Sequence, residues 1–214
     1  MYANGNLKNK GVVQMDAFNS HTGIVTPLDR ANVDTDQIIP AEYLKRVERS
    51  GFGPFLFNDW RKLPNGKPNP DFVLNKAFYD TGTVLVTRKN FGSGSSREHA
   101  VWALMNHGFK AVISSSFAEI FHKNSFENGL VPVIVPDEQI SIILERASKQ
   151  PGYQIHVDLN NCELSDDHGL HIPFRIHEDD DTHAFRRNTL MNGLDSISLT
   201  LANENKITAY ENRS

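Results

Sequence analysis

Thr83-Val84-Leu85-Val86-Thr87-Arg88-Lys89-Asn90-Phe91-Gly92-Ser93-Gly94-Ser95-Ser96-Arg97-Glu98-His99-Ala100 is the stretch that decides the fold. It reads as a short apolar strand, a Gly/Ser turn and the start of a helix over 97–107, closed by Gly108. The same cadence repeats downstream. Residues 111–114 form a second apolar strand, 117–128 a helix stopped by Gly129, and 131–135 a third strand. A third helix follows over 137–148, with Asp137 as its cap. Strands alternating with helices of this length predict βαβ units and a parallel sheet, hence an α/β fold. Upstream, 18–28 reads as a strand ending at Pro27, and 32–40 as an Asp-rich turn running into Ile38 and Ile39. Residues 47–70 are broken by Gly and Pro yet rich in aromatics, so this loop is expected to pack over something or to serve function. After Pro151-Gly152 the style changes to short strands over 153–159, 163–164 and 169–176, then helices over 179–190 and 195–210.

The Gly/Ser turn is the most informative site. Backbone N–H groups at a helix start lack internal partners, and the helix dipole favours negative charge there. Gly92 and Gly94 let the backbone approach a ligand, and Arg97 adds a fork for a carboxylate or phosphate. The Lys-Ser/Thr ending of a P-loop is missing, and the glycine spacing is not that of a dinucleotide fingerprint. Ser95 and Ser96 admit three readings: helix caps, anion ligands, or a base supported by the dipole and the guanidinium. Asp34 and Asp36 lie two apart, which in an extended segment puts them on one side. There they could orient a hydroxyl or a cation, or simply form a local turn. Phe117, Ile120, Phe121 and Phe126 are expected to face the core.

Composition narrows the function classes. The chain has 214 residues, a net charge of -4 and one cysteine, Cys162. That charge argues against general nucleic-acid binding. A lone cysteine cannot build a disulfide, a Cys-rich zinc site or an iron–sulfur cluster within this chain. The 9 histidines form no metal-ligand spacing. No segment reaches the ~20 apolar residues that span a bilayer, and residues 1–14 read as a polar, disordered tail without a signal-peptide core. A cytoplasmic protein with a free thiol is expected.

The runs NVDTDQIIP (32–40), YLKR (43–46), GFGPFLFNDWR (51–61), NFGSGSSREHA (90–100) and GFKAVISSSFAEIFHKNSFENGLVPV (108–133) resemble the small subunits of bacterial 3-isopropylmalate dehydratases, in the swivel-domain class of the aconitase superfamily. The likeness covers roughly residues 15–205. It implies a β/β/α swivel domain over 15–214, with a mostly parallel sheet core, flanking helices, an added C-terminal β/α segment and a mobile substrate loop at about 41–70. It also implies a heterodimer with a large subunit that carries a [4Fe-4S] cluster, so that this chain binds no metal. The reaction implied interconverts 2- and 3-isopropylmalate through 2-isopropylmaleate in leucine biosynthesis. Ser95 matches the base, Arg97 a carboxylate-binding arginine and Asp36 an active-site aspartate. Thr35, Ser96 and, across an alignment gap, Arg46 match substrate-binding positions. Specificity for the isopropyl group is expected in the loop after Ile38, at Tyr43, Leu44 and 52–60. A related hydro-lyase acting on citraconate, homoaconitate or methylthioalkylmalates, or a non-catalytic anion-binding swivel module, are the alternatives.

Overall fold

The computed structural model describes residues 15–45, 49–95 and 97–194. The expected tail over 1–14, the expected helix over 195–210, Arg46 and Ser96 lie outside the described residues.

Strand β1 (Ser20–Leu28) leads into two short helices, α1 (Thr35–Ile38) and α2 (Asn58–Arg61). Then come β2 (Val84–Thr87), α3 (Glu98–His107), β3 (Ala111–Ser114), α4 (Glu119–Asn128), β4 (Val131–Ile134) and α5 (Asp137–Lys149). The chain ends with β5 (Gln154–Asp158), β6 (Glu163–Ser165), β7 (His171–Pro173) and α6 (Asp180–Asn192). The strands join in one 7-stranded sheet of order β4-β3-β2-β1-β5-β6-β7. The β4 to β1 half is parallel, as the βαβ reading predicts. The β1 to β7 half is antiparallel.

Strand β1 joins the halves by dividing its own length. Ser20–Ile24 pair with β5, and Val25–Leu28 with β2. Pro27 does not end the strand as expected. The Val25 N–H donates to the Tyr153 carbonyl on the β5 side, and the two-residue period puts the Pro27 nitrogen on that same side, past the start of β5. Its missing donor therefore breaks no ladder bond. Pro132 in β4 follows the same logic. The Val131 N–H bonds inward to Lys110, so the Pro132 nitrogen faces the outer edge. One residue pair closes that edge onto the other end of the sheet: Ile134 and Arg175 exchange backbone hydrogen bonds of 2.7 and 3.1 Å. The sheet thus curls until its two ends meet.

Alternation along the strands divides the core. Val84, Val86, Ala111 and Ile113 join the inner residues of β5–β7 and one face of α5, whose Ile140, Ile143, Leu144 and Ala147 recur at helical spacing. Leu85 and Val112 face the other way, against Ala100, Val101, Ala103 and Leu104 of α3. The aromatic loop packs there too, with Phe52, Leu56 and Phe57 fully buried. These three are core residues, so of the large apolar side chains in the expected specificity stretch Tyr43, Leu44, Phe55 and Trp60 keep partial exposure.

Two local expectations need correction. Asp137 does not cap α5. Pro136 holds that position, and Asp137 is the first helical residue, where its carboxylate accepts from the Ser115 hydroxyl at 3.2 Å. Ile120 does not face the core: it is 48% exposed, while Phe121 and Phe126 are buried and Phe117 partly so. The helical stripe falls on Phe121, His122, Ser125 and Phe126.

Asp166 staples the antiparallel half to α5. Its side chain is 1% exposed and pairs with Arg146. It accepts from the Tyr153 hydroxyl at 2.6 Å and from the His168 and Leu170 N–H groups at 2.8 Å each. Burial alone would raise its carboxyl, but these donors prevail and hold it at about 2, while burial and Asp166 itself push the Tyr153 phenol up. Asp166→Ala should therefore lower unfolding stability by about 2–3 kcal/mol, the cost of orphaning several buried donors. The folded value lies below the unfolded one, so this stabilisation is complete above about pH 4 and lost as pH falls towards 2. Denaturant titrations of both proteins at pH 7 and pH 2.5 check it: the gap between them should shrink in acid.

Candidate active site

The two motif-bearing loops leave the sheet side by side, beyond the carboxyl ends of β1 and β2, where open α/β sheets place their ligands. Pairing continues past the strands. The Arg88 N–H reaches the Arg30 carbonyl at 3.1 Å, and the Asn32 N–H the Lys89 carbonyl at 2.9 Å. Farther out, the Gly92 and Ser93 N–H groups both donate to the Val33 carbonyl, and the Thr35 N–H donates to the Ser93 carbonyl at 2.8 Å. Residues some sixty positions apart in the chain are thereby stitched into one turn.

The Asp-rich run is a turn, as expected, and a helical one, so its two carboxylates do not share the side that an extended segment would give them. Asp34 caps α1, accepting from the Asp36 N–H at 2.7 Å, while Gln37 reaches back to the Asp34 N–H at 2.9 Å. The two carboxylates therefore part company. Asp34 is spent on the cap, which is the local-turn reading. Asp36 is free to reach across and pairs with the Arg97 guanidinium, which is the cation-orienting reading.

Arg97 occupies the N-cap position of α3, and among the described residues no side chain caps that helix. The capping reading therefore fails for Ser95. Ser95 is exposed, and its carbonyl accepts from the Thr35 hydroxyl at 2.9 Å. Thr35 is itself 1% exposed, so its hydroxyl is committed to holding the Ser95 backbone. Arg97 Nη1 is buried against Asp36 without hydrogen-bond geometry to any acceptor among the described residues. The other donors of the fork, unpaired among the described residues, suit a ligand carboxylate. The arrangement presents an open hydroxyl, a pre-aimed guanidinium and an uncapped helix start within one turn.

The two glycines of the turn have separate reasons. Gly92 (φ +78°) lies against the Phe121 ring, and a Cβ there would overlap it. Gly94 (φ +89°) lies against the Asp34 carboxylate, and a Cβ would fall inside that group. The sequence reading missed Asn32 and Asn90, whose amides meet at 2.9 Å. It also missed Ser116, whose hydroxyl and carbonyl accept from the Asn90 and Phe91 N–H groups. The usable signal was an Asn at the end of each apolar strand, since Asn tolerates the left-handed region.

Other titratable groups serve the fold. The His99 ring lies between Phe52 and Trp102, at 5.3 and 4.6 Å. His122 is buried beside Phe117 and Phe126, and burial followed by the Arg186 charge pushes it down to about 4, so it is neutral at physiological pH. The Cys162 sulfur lies 3.7 Å from His183 Nε2, and burial pushes its thiol up, the opposite of an activated nucleophile. Among the described residues no group of three or more His, Cys, Asp or Glu could hold a metal ion.

The chain is similar to known proteins along most of its length. The family profile described as "Aconitase C-terminal domain" matches residues 15–138, and one described as "LeuD_N" matches 142–178. The 3-isopropylmalate dehydratase small subunit of Brevibacillus brevis is 50% identical over 93% of this chain and 100% of its own length. That of Rhodopirellula baltica is 51% identical over 92% and 98%. A crystal structure of 3-isopropylmalate dehydratase from Methanocaldococcus jannaschii superposes with a TM-score of 0.61 at 27% identity, covering 90% of this chain and 99% of that one.

The contact between Gly94 and Asp34 can be tested against an internal control. Gly66 is also left-handed (φ +78°), but open space surrounds it. Gly66→Ala should cost about 1 kcal/mol, the backbone penalty alone. Gly94→Ala should cost at least about 1 kcal/mol more, because Asp34 must leave the α1 cap. Equal unfolding midpoints for the two variants would show that the contact carries no weight.

Proposed function

The chain belongs to the aconitase C-terminal domain family, among the 3-isopropylmalate dehydratase small subunits, and on that premise we propose how its site residues divide the work. Its function is that of the small subunit of 3-isopropylmalate dehydratase, a lyase of leucine biosynthesis. In our reading Ser95 Oγ is the base that takes the C–H proton next to a substrate carboxylate and returns it in the hydration direction. Such a proton is weakly acidic, so the base must be strong. A serine alkoxide is strong enough but scarce near neutral pH, and the start of α3 and the adjacent guanidinium, both of which favour negative charge, make it accessible. Arg97 binds a substrate carboxylate through the donors Asp36 leaves unused and fixes the C–H bond against Ser95. Asp36 acts by holding that guanidinium in place. Ser96 and Arg46 join the substrate contacts on resemblance alone.

The described residues make no cluster site. Cys162, the chain's one sulfur ligand besides methionine, packs beside α6 next to His183. On the family likeness we assign the [4Fe-4S] cluster to the large subunit, where it would supply Lewis-acid activation of the substrate hydroxyl. The exposure of Ser95 fits that division, because a partner closing over the turn removes the water that would quench an alkoxide. A reducing cytoplasm suits the complex: Cys162 is a free thiol, and among the described residues no helix is long and apolar enough to cross a membrane.

The observation that carries this reading is the Arg97–Asp36 pair, set beside an exposed serine at an uncapped helix start. The test mixes the chain with the large subunit and follows hydration of 2-isopropylmaleate. Ser95→Ala should lower kcat by about 10³-fold or more while co-elution with the large subunit is unchanged. Turnover within about tenfold of wild type would rule Ser95 out as the base. Arg97→Lys, which keeps the charge but loses the fork, should act mainly by raising KM.

A further inference from the structure

We propose that Asn32 and Asn90 form a latch that sets the geometry between Ser95 and Arg97, making both of them positioning residues for the reaction. The inference rests on the roles proposed above for Ser95 and Arg97. The two asparagines lie at the same level on neighbouring chains, just past β1 and β2. Both take left-handed backbone conformations, with φ of 54° and 59°. An L-residue pays for that conformation, and Asn pays least among residues with a side chain. Here the short carboxamides also meet: Asn90 Nδ2 donates to Asn32 Oδ1 at 2.9 Å. The Asn90 N–H donates to Ser116 Oγ at 2.9 Å, which ties the latch to the end of β3.

The placement matters because both working loops turn at these residues. Before them the chains follow the sheet, through Arg88 to Arg30 and Asn32 to Lys89. After them the chains cross, with Gly92 and Ser93 on Val33, and Thr35 on Ser93. Asp36 lies four residues past Asn32, and Ser95 and Arg97 lie five and seven past Asn90. A change in the angle at either turn is carried along these short segments to the guanidinium and the hydroxyl. Misplacing a base by about 1 Å can cost on the order of 100-fold in rate. Neither amide bonds to Asp36, Ser95 or Arg97 in the structure, so the latch works through the two turns.

The experiment uses the complex with the large subunit and 2-isopropylmaleate as substrate. Asn90→Gly keeps the left-handed backbone and removes only the amide. It should lower kcat at least tenfold with KM changed less than threefold and a thermal midpoint near that of wild type. Asn90→Asp retains a short polar group that Asn32 can donate to after its amide flips, and should recover kcat to within about threefold. Asn32→Gly should likewise lower kcat, and the Asn32→Gly/Asn90→Gly double variant should be no worse than the more impaired single, because both delete one shared interaction. A wild-type kcat in Asn90→Gly, or fully additive losses in the double variant, would overturn the latch. If those variants keep their activity while Ser95→Ala is inactive, the latch alone fails. If Ser95→Ala retains turnover, the reading beneath it has failed.

Discussion

The parallel pairing of Val25–Leu28 with Val84–Thr87 is the contact on which the rest of the site depends. It aligns the ends of two strands that lie 59 positions apart in sequence, so the loops that follow leave the sheet together. Every link in the turn beyond it is a consequence of that alignment: Val33 receiving two amides, Thr35 holding Ser93 and Ser95, Asp36 meeting Arg97. Without the register, Asp34 would still cap a helical turn, and α3 would still start at its Gly/Ser turn. Neither piece alone brings a carboxylate to the guanidinium. Chemistry enters only where the two local motifs are joined by a non-local ladder.

That ladder is protected on both sides. The four strands β1 to β4 place their alternate residues into two apolar cores, with α5 on one face and α3 plus the aromatic loop on the other. Burial on both faces of short strands is typical of parallel sheets and leaves them little freedom to shift register. Closure through Ile134 and Arg175 covers the β4 edge at its outer end, and Pro132 blocks further pairing there. The buried Asp166 with Arg146 and Tyr153 then locks the antiparallel half onto α5, which itself leans on β1, β2 and β3. The rigidity that the site needs is thus supplied by elements that contribute nothing to its chemistry.

Much of this was legible in the sequence where a local rule decides. The apolar runs at 84–86, 111–114 and 131–135 are strands in the structure to within a residue, and Gly108 and Gly129 end the helices they were expected to end. Motif identity placed Ser95, Arg97 and Asp36 in one site before any contact was known, and the structure brings Asp36 to Arg97. What was not legible required knowledge of a neighbour. Pro27 reads as a strand terminator until β5 is seen to start opposite Ile24, short of the proline. The Asp-rich run reads as a turn, but a helix of four residues is too short to show a period, and only Gln37 closing the capping box reveals that the turn is helical. Phe52, Leu56 and Phe57 looked like substrate-facing apolar residues and are core, because they join one cluster with the inner residues of α3, which the loop's own sequence cannot disclose. Asn32 and Asn90 carry no chemistry in isolation. Their role exists only because the two chains run level.

The Arg97–Asp36 pair also bears on how a surface site stays prepared for its ligand. An arginine side chain has several rotatable bonds and loses considerable entropy when fixed. The Arg97 side chain is 17% exposed, whereas Asp36 is 52% exposed. The cation is therefore held by packing from the protein side, and its carboxylate partner stands in the solvent. A pair so arranged gains little net stability. It does aim the guanidinium before any ligand arrives, and its exposed half can move without disturbing the core. On the proposed reading, an incoming carboxylate meets a fork whose ordering cost has already been met by the fold, and it competes only with a partner that water is ready to solvate. That is the advantage of placing the cation at the N-cap of a ten-residue helix and its counter-ion on a short, separately capped turn. The binding group is rigid, the group it trades away is not, and the two are tied together only through the β1–β2 register.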